Sequence, residues 1–187
     1  MRSGNMNIKK LTINALLLAV GALLHQITPA LGLPMQPDFA LAMLFIIIIL
    51  NKDDYKASLV AGIVTGVFTA MTTKFPGGQI PNMLDKLITV NFVYILIFVL
   101  CKFKSFKKLS GEKQNYIIAL VILPIGTLIS GIIFLLSAQI IIGLPASFTT
   151  LLLTVVLPAT VINLIAGMFL YKVVNLSLIR ASYSVKR

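Results

Sequence analysis

Four ionisable side chains are placed where they could bind a small charged molecule. Asp38, Lys74, Asp85 and Lys86 each adjoin a long apolar stretch of the chain. Ionisable groups near a membrane interior are rare and often mark the path of a substrate. Asp38 or Asp85 would bind an ammonium and Lys74 or Lys86 a carboxylate, so the set predicts a site for a small zwitterion. The alternative is that Asp85 and Lys86 only cap a helix at the membrane interface.

The stretch that leads to Asp85 begins as a loop. Residues 74–82 contain Gly77-Gly78 between two prolines, which favours a turn and then a helix start at Pro81 or Asn82. The unpaired N–H groups of that helix start could also hold a ligand carboxylate. The helical period places four polar residues on one face: Asn82, Asp85, Lys86 and Thr89.

Other side chains could complete the site. Gln79 and Asn82 could orient the polar groups of a ligand. Asn163 lies deep in the last apolar stretch, where an unpaired amide is costly, so it must face a partner helix or a polar cavity. The aromatic candidates for apolar contact with a ligand are Phe39, Phe75, Tyr94 and Phe148.

Patterns for catalysis and metal binding are absent from the sequence. Cys101 is the single cysteine and His25 the single histidine, which excludes an internal disulfide and a His/Cys metal cluster. The motifs of a phosphate-binding loop, a serine-hydrolase elbow and a zinc-protease helix are missing as well. We therefore expect no enzyme activity, no metal and no cofactor, and we expect His25 to be a hydrogen-bonded interior residue.

The composition indicates which elements position these residues. Of the 187 residues 58% are apolar and 11% are charged, and the mean hydropathy is +1.01. Soluble domains carry about 25% charged residues, so a soluble domain is excluded and the expected surrounding is a lipid bilayer. A single all-α transmembrane domain, 1–187, is predicted, with six spans at residues 8–28, 39–50, 57–73, 83–101, 115–142 and 148–174.

The second predicted span is short. Twelve residues rise about 18 Å, whereas the hydrocarbon core of a bilayer is about 30 Å thick. Prolines at positions 34 and 37 disfavour a helix before Asp38. We therefore expect a short second helix with a bent or re-entrant approach.

The distribution of basic residues predicts the orientation. Fourteen of the 16 lysines and arginines fall in segments that six alternating spans place on one side, and the other side keeps Lys74 and Lys86. This asymmetry places both termini in the cytoplasm. Because the charge is spread over four segments, it also argues against nucleic acid as a partner. The basic, apolar start resembles a signal peptide, but the charge alternation requires that it is retained.

Small and polar residues mark the faces that should pack. In span one, Asn14, Gly21, His25 and Thr28 share one face, and Leu17 is predicted to face lipid. A neighbouring alanine stripe is either ordinary bundle packing or a docking surface for another membrane protein, and it comprises Ala15, Ala19 and Ala22.

Small residues, prolines and polar residues also predict the packing and bending of the later spans. Span three contains the small-residue seam Gly62-x-x-x-Gly66. Pro124 and Pro158 should bend spans five and six. Four residues of span six are predicted to share a face: Thr149, Thr160, Asn163 and Gly167.

Three segments resemble a known family. Asn14-Ala-Leu-Leu-Leu-Ala19, Met35-Gln-Pro-Asp-Phe-Ala-Leu-Ala-Met-Leu-Phe45 and Thr72-Thr-Lys-Phe-Pro-Gly-Gly-Gln-Ile-Pro-Asn82 with Asp85-Lys86 resemble the bacterial tryptophan transporter family, TrpP. That family is similar to the S components of energy-coupling-factor (ECF) vitamin importers. The resemblance implies tryptophan as the substrate, a bacterial cell membrane, and six helices with both termini inside.

The resemblance also implies partners and a place for the site. Substrate would bind near the outer face, under loops 29–38, 74–82 and 143–147. Ala15 and Ala19 match the A-x-x-x-A element that docks on a membrane coupling subunit, and two ATPases on other chains would supply the energy. The site candidates within or beside the matching motifs are Asp38, Phe39, Phe75, Gln79, Asn82, Asp85 and Lys86. Asn163, the amide within the last span, is added to them.

The sequence is compatible with three hypotheses. The first is a tryptophan-binding subunit that works with a separate energising module. The second is a self-sufficient carrier driven by protons or sodium, with Asp38 or Asp85 as the coupling carboxylate. The third is a scaffold or assembly subunit that binds no small ligand.

Overall fold

Helices form most of the described chain. The computed structural model describes residues 8–29 and 36–184, except the side chains of residues 105 and 182–184. The elements are α1 (Ile8–Ile27), α2 (Phe39–Leu50), α3 (Tyr55–Thr72), α4 (Gln79–Lys102), α5 (Lys104–Lys107), α6 (Gly111–Ile141), α7 (Phe148–Leu151), a π-turn (Leu152–Val156) and α8 (Leu157–Ser184). Five segments are long and apolar enough to cross a membrane, and α2 is a shorter apolar helix. The chain is thus an all-helical multi-pass membrane protein, as predicted.

The short helix α2 is the centre of the bundle. Residues 40–49 are all buried, and α2 packs against α1, α3, α4, α6 and α8. A helix that is apolar all round is suited to such an enclosed position. Because its neighbours form the lipid-facing wall, twelve residues suffice, and the predicted short second helix is confirmed. The bent approach predicted before it falls mainly on residues 30–35, which lie outside the described ranges.

Helix α1 turns a narrow polar face towards α2. Asn14, Gly21 and His25 are buried, and so is Thr28 just after the helix, as predicted. The prediction that Leu17 faces lipid is wrong, since the residue is 7% exposed and belongs to the core. It follows Asn14 by three residues and precedes Gly21 by four, and this spacing places it on the same face.

The alanine stripe of α1 lies on the outside of the bundle. Ala15 and Ala19 are exposed, and Ala22 is half-buried near α2 and α3. Packing within the chain therefore does not account for Ala15 and Ala19.

A seam of small residues brings α3 against α4. Gly62 and Gly66 are buried, and a Cβ added at Gly62 would lie 2.7 Å from Cγ1 of Val90. At Gly66 the corresponding position is 3.4 Å from Cβ of Lys86. Because α3 lies so close to this face of α4, the side chain of Lys86 extends into the bundle.

Proline alters the last membrane segment. Pro158 has no N–H to donate, and the π-turn ends two residues before it, at Val156. Because a π-turn adds residues to one turn, the regular helical period does not extend across it. Thr149 is accordingly exposed, whereas Thr160, Asn163 and Gly167 share the predicted inward face. At Pro124, by contrast, α6 continues without a break.

The basic segments meet at one end of the bundle, called here the basic end. Lys10 Nζ lies 2.8 Å from Asp54 Oδ2, and Lys52 Nζ donates to Asn115 Oδ1 at 3.1 Å. These contacts join the start of α1, the turn after α2 and the start of α6. The arrangement agrees with the charge asymmetry of the sequence, which assigns this end to the cytoplasm.

Candidate functional site

A cavity opens at the opposite end of the bundle. Its enclosed volume is about 70 Å³, and about 620 Å³ when the part open to the outside is included. The last turn of α1, the starts of α2 and α4, the α3–α4 connection, α6 and the last membrane segment contribute its walls.

The start of α4 places charged residues beside this cavity. Gly77 has φ of 73°, which favours glycine, and Gly78 caps the helix, so α4 begins two residues before Pro81. Asn82, Asp85, Lys86 and Thr89 are all buried on one face, as predicted.

Lys86 joins two carboxylates from different helices. Its Nζ is 2.6 Å from Asp38 Oδ2 and also forms an ion pair with its neighbour Asp85. Asp85 accepts a second hydrogen bond from Thr89 Oγ1 at 3.0 Å. Since Lys86 and Asp85 are each 1% exposed, these charges depend on one another for compensation.

Asp38 also stabilises the start of α2. Its Oδ1 accepts from the N–H of Leu41 at 2.9 Å, which is an N-cap bond. The same oxygen lies 3.3 Å from Nδ1 of His25. Asp38 therefore connects α1, α2 and α4, and with its side chain 17% exposed it is the more accessible of the two carboxylates.

The hydrogen bonds of His25 fix its tautomer. Gln36 Nε2 donates to the carbonyl oxygen of His25 at 3.0 Å and lies 2.8 Å from its ring Nε2. An amide NH₂ can only donate, so Nε2 of His25 accepts and the ring proton is on Nδ1, towards Asp38. His25 is thus a hydrogen-bonded, buried residue, as predicted.

Two buried carboxyl groups share one ammonium. Asp38 and Asp85 both contact Nζ of Lys86. An uncompensated carboxylate in a low-dielectric interior is costly, so the second carboxyl group needs a further partner, which can be a proton or an additional cation.

Lys74 provides a positive charge at the outer part of the cavity. It is an exposed residue that lines the cavity, and its Nζ donates to the carbonyl oxygen of Thr28. Unlike Lys86, Lys74 is not placed between two carboxylates in the described part of the chain.

An apolar wall faces the ions. Phe75 and Phe134 meet edge to face, with ring centroids 5.4 Å apart and ring planes at 90°. Val155 and Val156 of the π-turn extend this wall. At the inner end Asn163 is fully buried, and its Nδ2 is 3.5 Å from Thr127 Oγ1.

Most of the predicted site residues come together at this cavity. Six of them line it: Asp38, Phe75, Asn82, Asp85, Lys86 and Asn163. Phe39 and Gln79 are not part of the described lining, and Gln79 is exposed at the first residue of α4. Tyr94 contacts Tyr55 instead, with ring centroids 5.1 Å apart, and Phe148 packs beside the apolar wall.

Several lining residues were missing from the sequence-based set. Thr127, Ser130, Gly131 and Phe134 follow one another at helical spacing on α6, so a wheel of span five could have found them. Gln36 gave no such signal, because it precedes its helix and its role depends on the position of His25.

Comparison with known proteins gives a consistent set of relatives. The family model for Tryptophan transporter TrpP matches residues 7–179. A probable tryptophan transport protein of Clostridium perfringens is 58% identical over 94% of this chain and 96% of its own length. A protein of Clostridium acetobutylicum with the same description is 50% identical over 92% of this chain and 95% of its own length. A third such protein, from Bacillus subtilis, is 43% identical over 95% of this chain and 97% of its own length. No solved structure matches the chain.

Proposed function

The chain belongs to the TrpP family of tryptophan transporters, and on this premise we propose that it takes up tryptophan by binding it in the cavity. It is a multi-pass protein of the bacterial cell membrane. Its relatives are described as probable tryptophan transport proteins, which supports the same substrate here.

The contact of two carboxyl groups with a single ammonium is the observation that carries this proposal. Asp38 and Asp85 share Lys86, and tryptophan brings a second ammonium. Binding would give each carboxylate a cation. We assign the ammonium to Asp38, the more accessible of the two carboxylates.

The remaining parts of the ligand find matching surfaces. Lys74 at the outer part of the cavity suits the carboxylate. Phe75, Phe134 and Val156 offer an apolar wall for the indole ring. Lys86 is a positioning residue in this account, because its ammonium already holds both carboxylates.

For the energy source we propose a separate module. The exposed Ala15 and Ala19 would let another membrane helix approach α1 closely, as small residues do in membrane helix pairs. The family resemblance supports a coupling subunit with ATPases on other chains. The absence of a phosphate-binding loop from this sequence is compatible with that arrangement.

An ion-driven carrier is the second candidate. The carboxyl pair that would bind an ammonium could also bind a proton or a sodium ion. In that case this protein alone, in liposomes with an imposed ion gradient, would accumulate tryptophan. In the first case it would accumulate none until the energising module is added.

The substrate is tested by thermal unfolding of the detergent-purified protein with each amino acid in turn. A ligand that binds only the native state raises the unfolding temperature. L-tryptophan is expected to give the largest increase, and D-tryptophan and indole are the matched controls. A panel in which no amino acid raises the unfolding temperature would contradict the proposal and favour a scaffold subunit.

A further inference from the structure

We propose that the amide oxygen of Asn163 accepts a hydrogen bond from the indole N–H of the ligand, and so selects side chains that carry a donor at that position. The inference rests on the proposed function and adds to it the group that recognises the ring. Asn163 would then be the residue that distinguishes tryptophan from aromatic amino acids whose rings have no such donor.

The first observation is an unpaired buried acceptor. Asn163 is 0% exposed, and its Oδ1 has no hydrogen-bond partner among the residues that the structure describes. A buried acceptor without a donor is energetically costly, and proteins rarely leave one unpaired. Since Asn163 lines the cavity, a bound ligand can supply the missing donor.

The second observation fixes which way the amide points. Thr127 Oγ1 donates its single hydrogen to the carbonyl oxygen of Leu123 at 2.6 Å. Towards Asn163 it can therefore only accept, and Asn163 must present its NH₂, at 3.5 Å. The oxygen of the amide is left as the group available to a ligand.

The third observation is that Asn163 and the charged residues line one cavity. Asp38 at the start of α2 and Lys74 in the α3–α4 connection share its lining with Asn163. A ligand with its charged groups beside Asp38 and Lys74 would direct its ring along Phe134 and Val156 to Asn163.

The direct test compares two ligands of nearly equal shape in the wild-type protein. In 3-benzothienylalanine a sulfur atom replaces the indole N–H, so the donor is lost while the bicyclic ring is kept. Calorimetry is expected to give binding about tenfold to a hundredfold weaker than that of L-tryptophan. Equal affinities would overturn the inference and leave the proposed function intact, with an ordered water as the partner of Oδ1.

A variant locates the effect. Asn163→Leu removes the acceptor at similar volume, so the preference for tryptophan over 3-benzothienylalanine should fall to about one. Asn175→Leu is the same change on the same helix near the basic end, where Asn175 is half-buried and its Nδ2 lies 3.5 Å from Oε1 of Glu112; it should keep the wild-type preference. A wild-type preference in Asn163→Leu would overturn the assignment, and absence of any tryptophan binding to the wild type would overturn the inference and the proposed function together.

Discussion

Lys86 Nζ lies 2.6 Å from Oδ2 of Asp38, a residue 48 positions earlier in the chain. Through this contact the first turns of α4 are joined to the start of the central helix α2. The same ammonium pairs with Asp85, so one cation holds two carboxylates at the wall of the cavity. This geometry positions both carboxyl groups around Lys86 and leaves one of them to bind a further cation.

Asp38→Asn should weaken tryptophan binding at least about tenfold, because it removes the charge assigned to the ammonium. Asparagine caps a helix about as well as aspartate, so the start of α2 should be preserved. Calorimetry with L-tryptophan measures the effect. Asp54→Asn is the control, since Asp54 caps α3 through Ala57 in the same way at the basic end. Unchanged binding in Asp38→Asn would remove Asp38 from the site.

Lys86→Met should lower the free energy of unfolding by about 3–5 kcal/mol, since it leaves two buried carboxylates without their shared cation. Adding Asp85→Asn removes one of these charges and should recover part of the loss. Denaturant unfolding of the purified variants compares the two. If the double variant were no more stable than Lys86→Met, the charge balance would not be the cause.

Gly62→Ala should destabilise the bundle by about 1–3 kcal/mol, because its new methyl group would meet Val90 across the α3–α4 seam. Val90→Ala in the same chain should restore part of the stability. Gly111→Ala is the matched control, since no atom lies within 4 Å of a Cβ there. Equal unfolding temperatures for Gly62→Ala and Gly111→Ala would argue against a tight seam.

Ala19→Trp should abolish uptake in cells and spare tryptophan binding by the purified protein, if a coupling subunit docks on the alanine stripe. Val20→Trp is the control, since it places the same ring on the neighbouring, lipid-facing side of α1. Full uptake by the Ala19→Trp variant would contradict docking at this face and favour the ion-driven carrier.

Local patterns predicted much of the fold and of the site. The short α2 followed from an apolar run of twelve residues, and Asp85 and Lys86 followed from charges inside an apolar helix. Each of these two predictions uses the residues of a single helix, where the helical period alone decides which residues share a face. The wrong prediction for Leu17 could have been avoided in the same way, since its spacing from Asn14 already places it on the inward face.

Contacts between segments could not be predicted in this way. The sequence suggested Lys86 as a partner for a ligand carboxylate, whereas its ammonium is held by Asp38 from another helix. The exposed position of Thr149 depends on a π-turn, which a regular wheel does not represent. These features arise from packing between helices, which no single segment determines.

The most direct test of the account is calorimetry of the purified wild-type protein with L-tryptophan and two analogues, each lacking one charged group. Indole-3-propionate has no ammonium and should bind at least about tenfold more weakly than tryptophan, because it offers Asp38 no cation to bind. Tryptamine keeps the ammonium and should retain more affinity than indole-3-propionate. Indole-3-propionate binding as tightly as tryptophan would contradict the central claim that the carboxylate pair receives the ammonium.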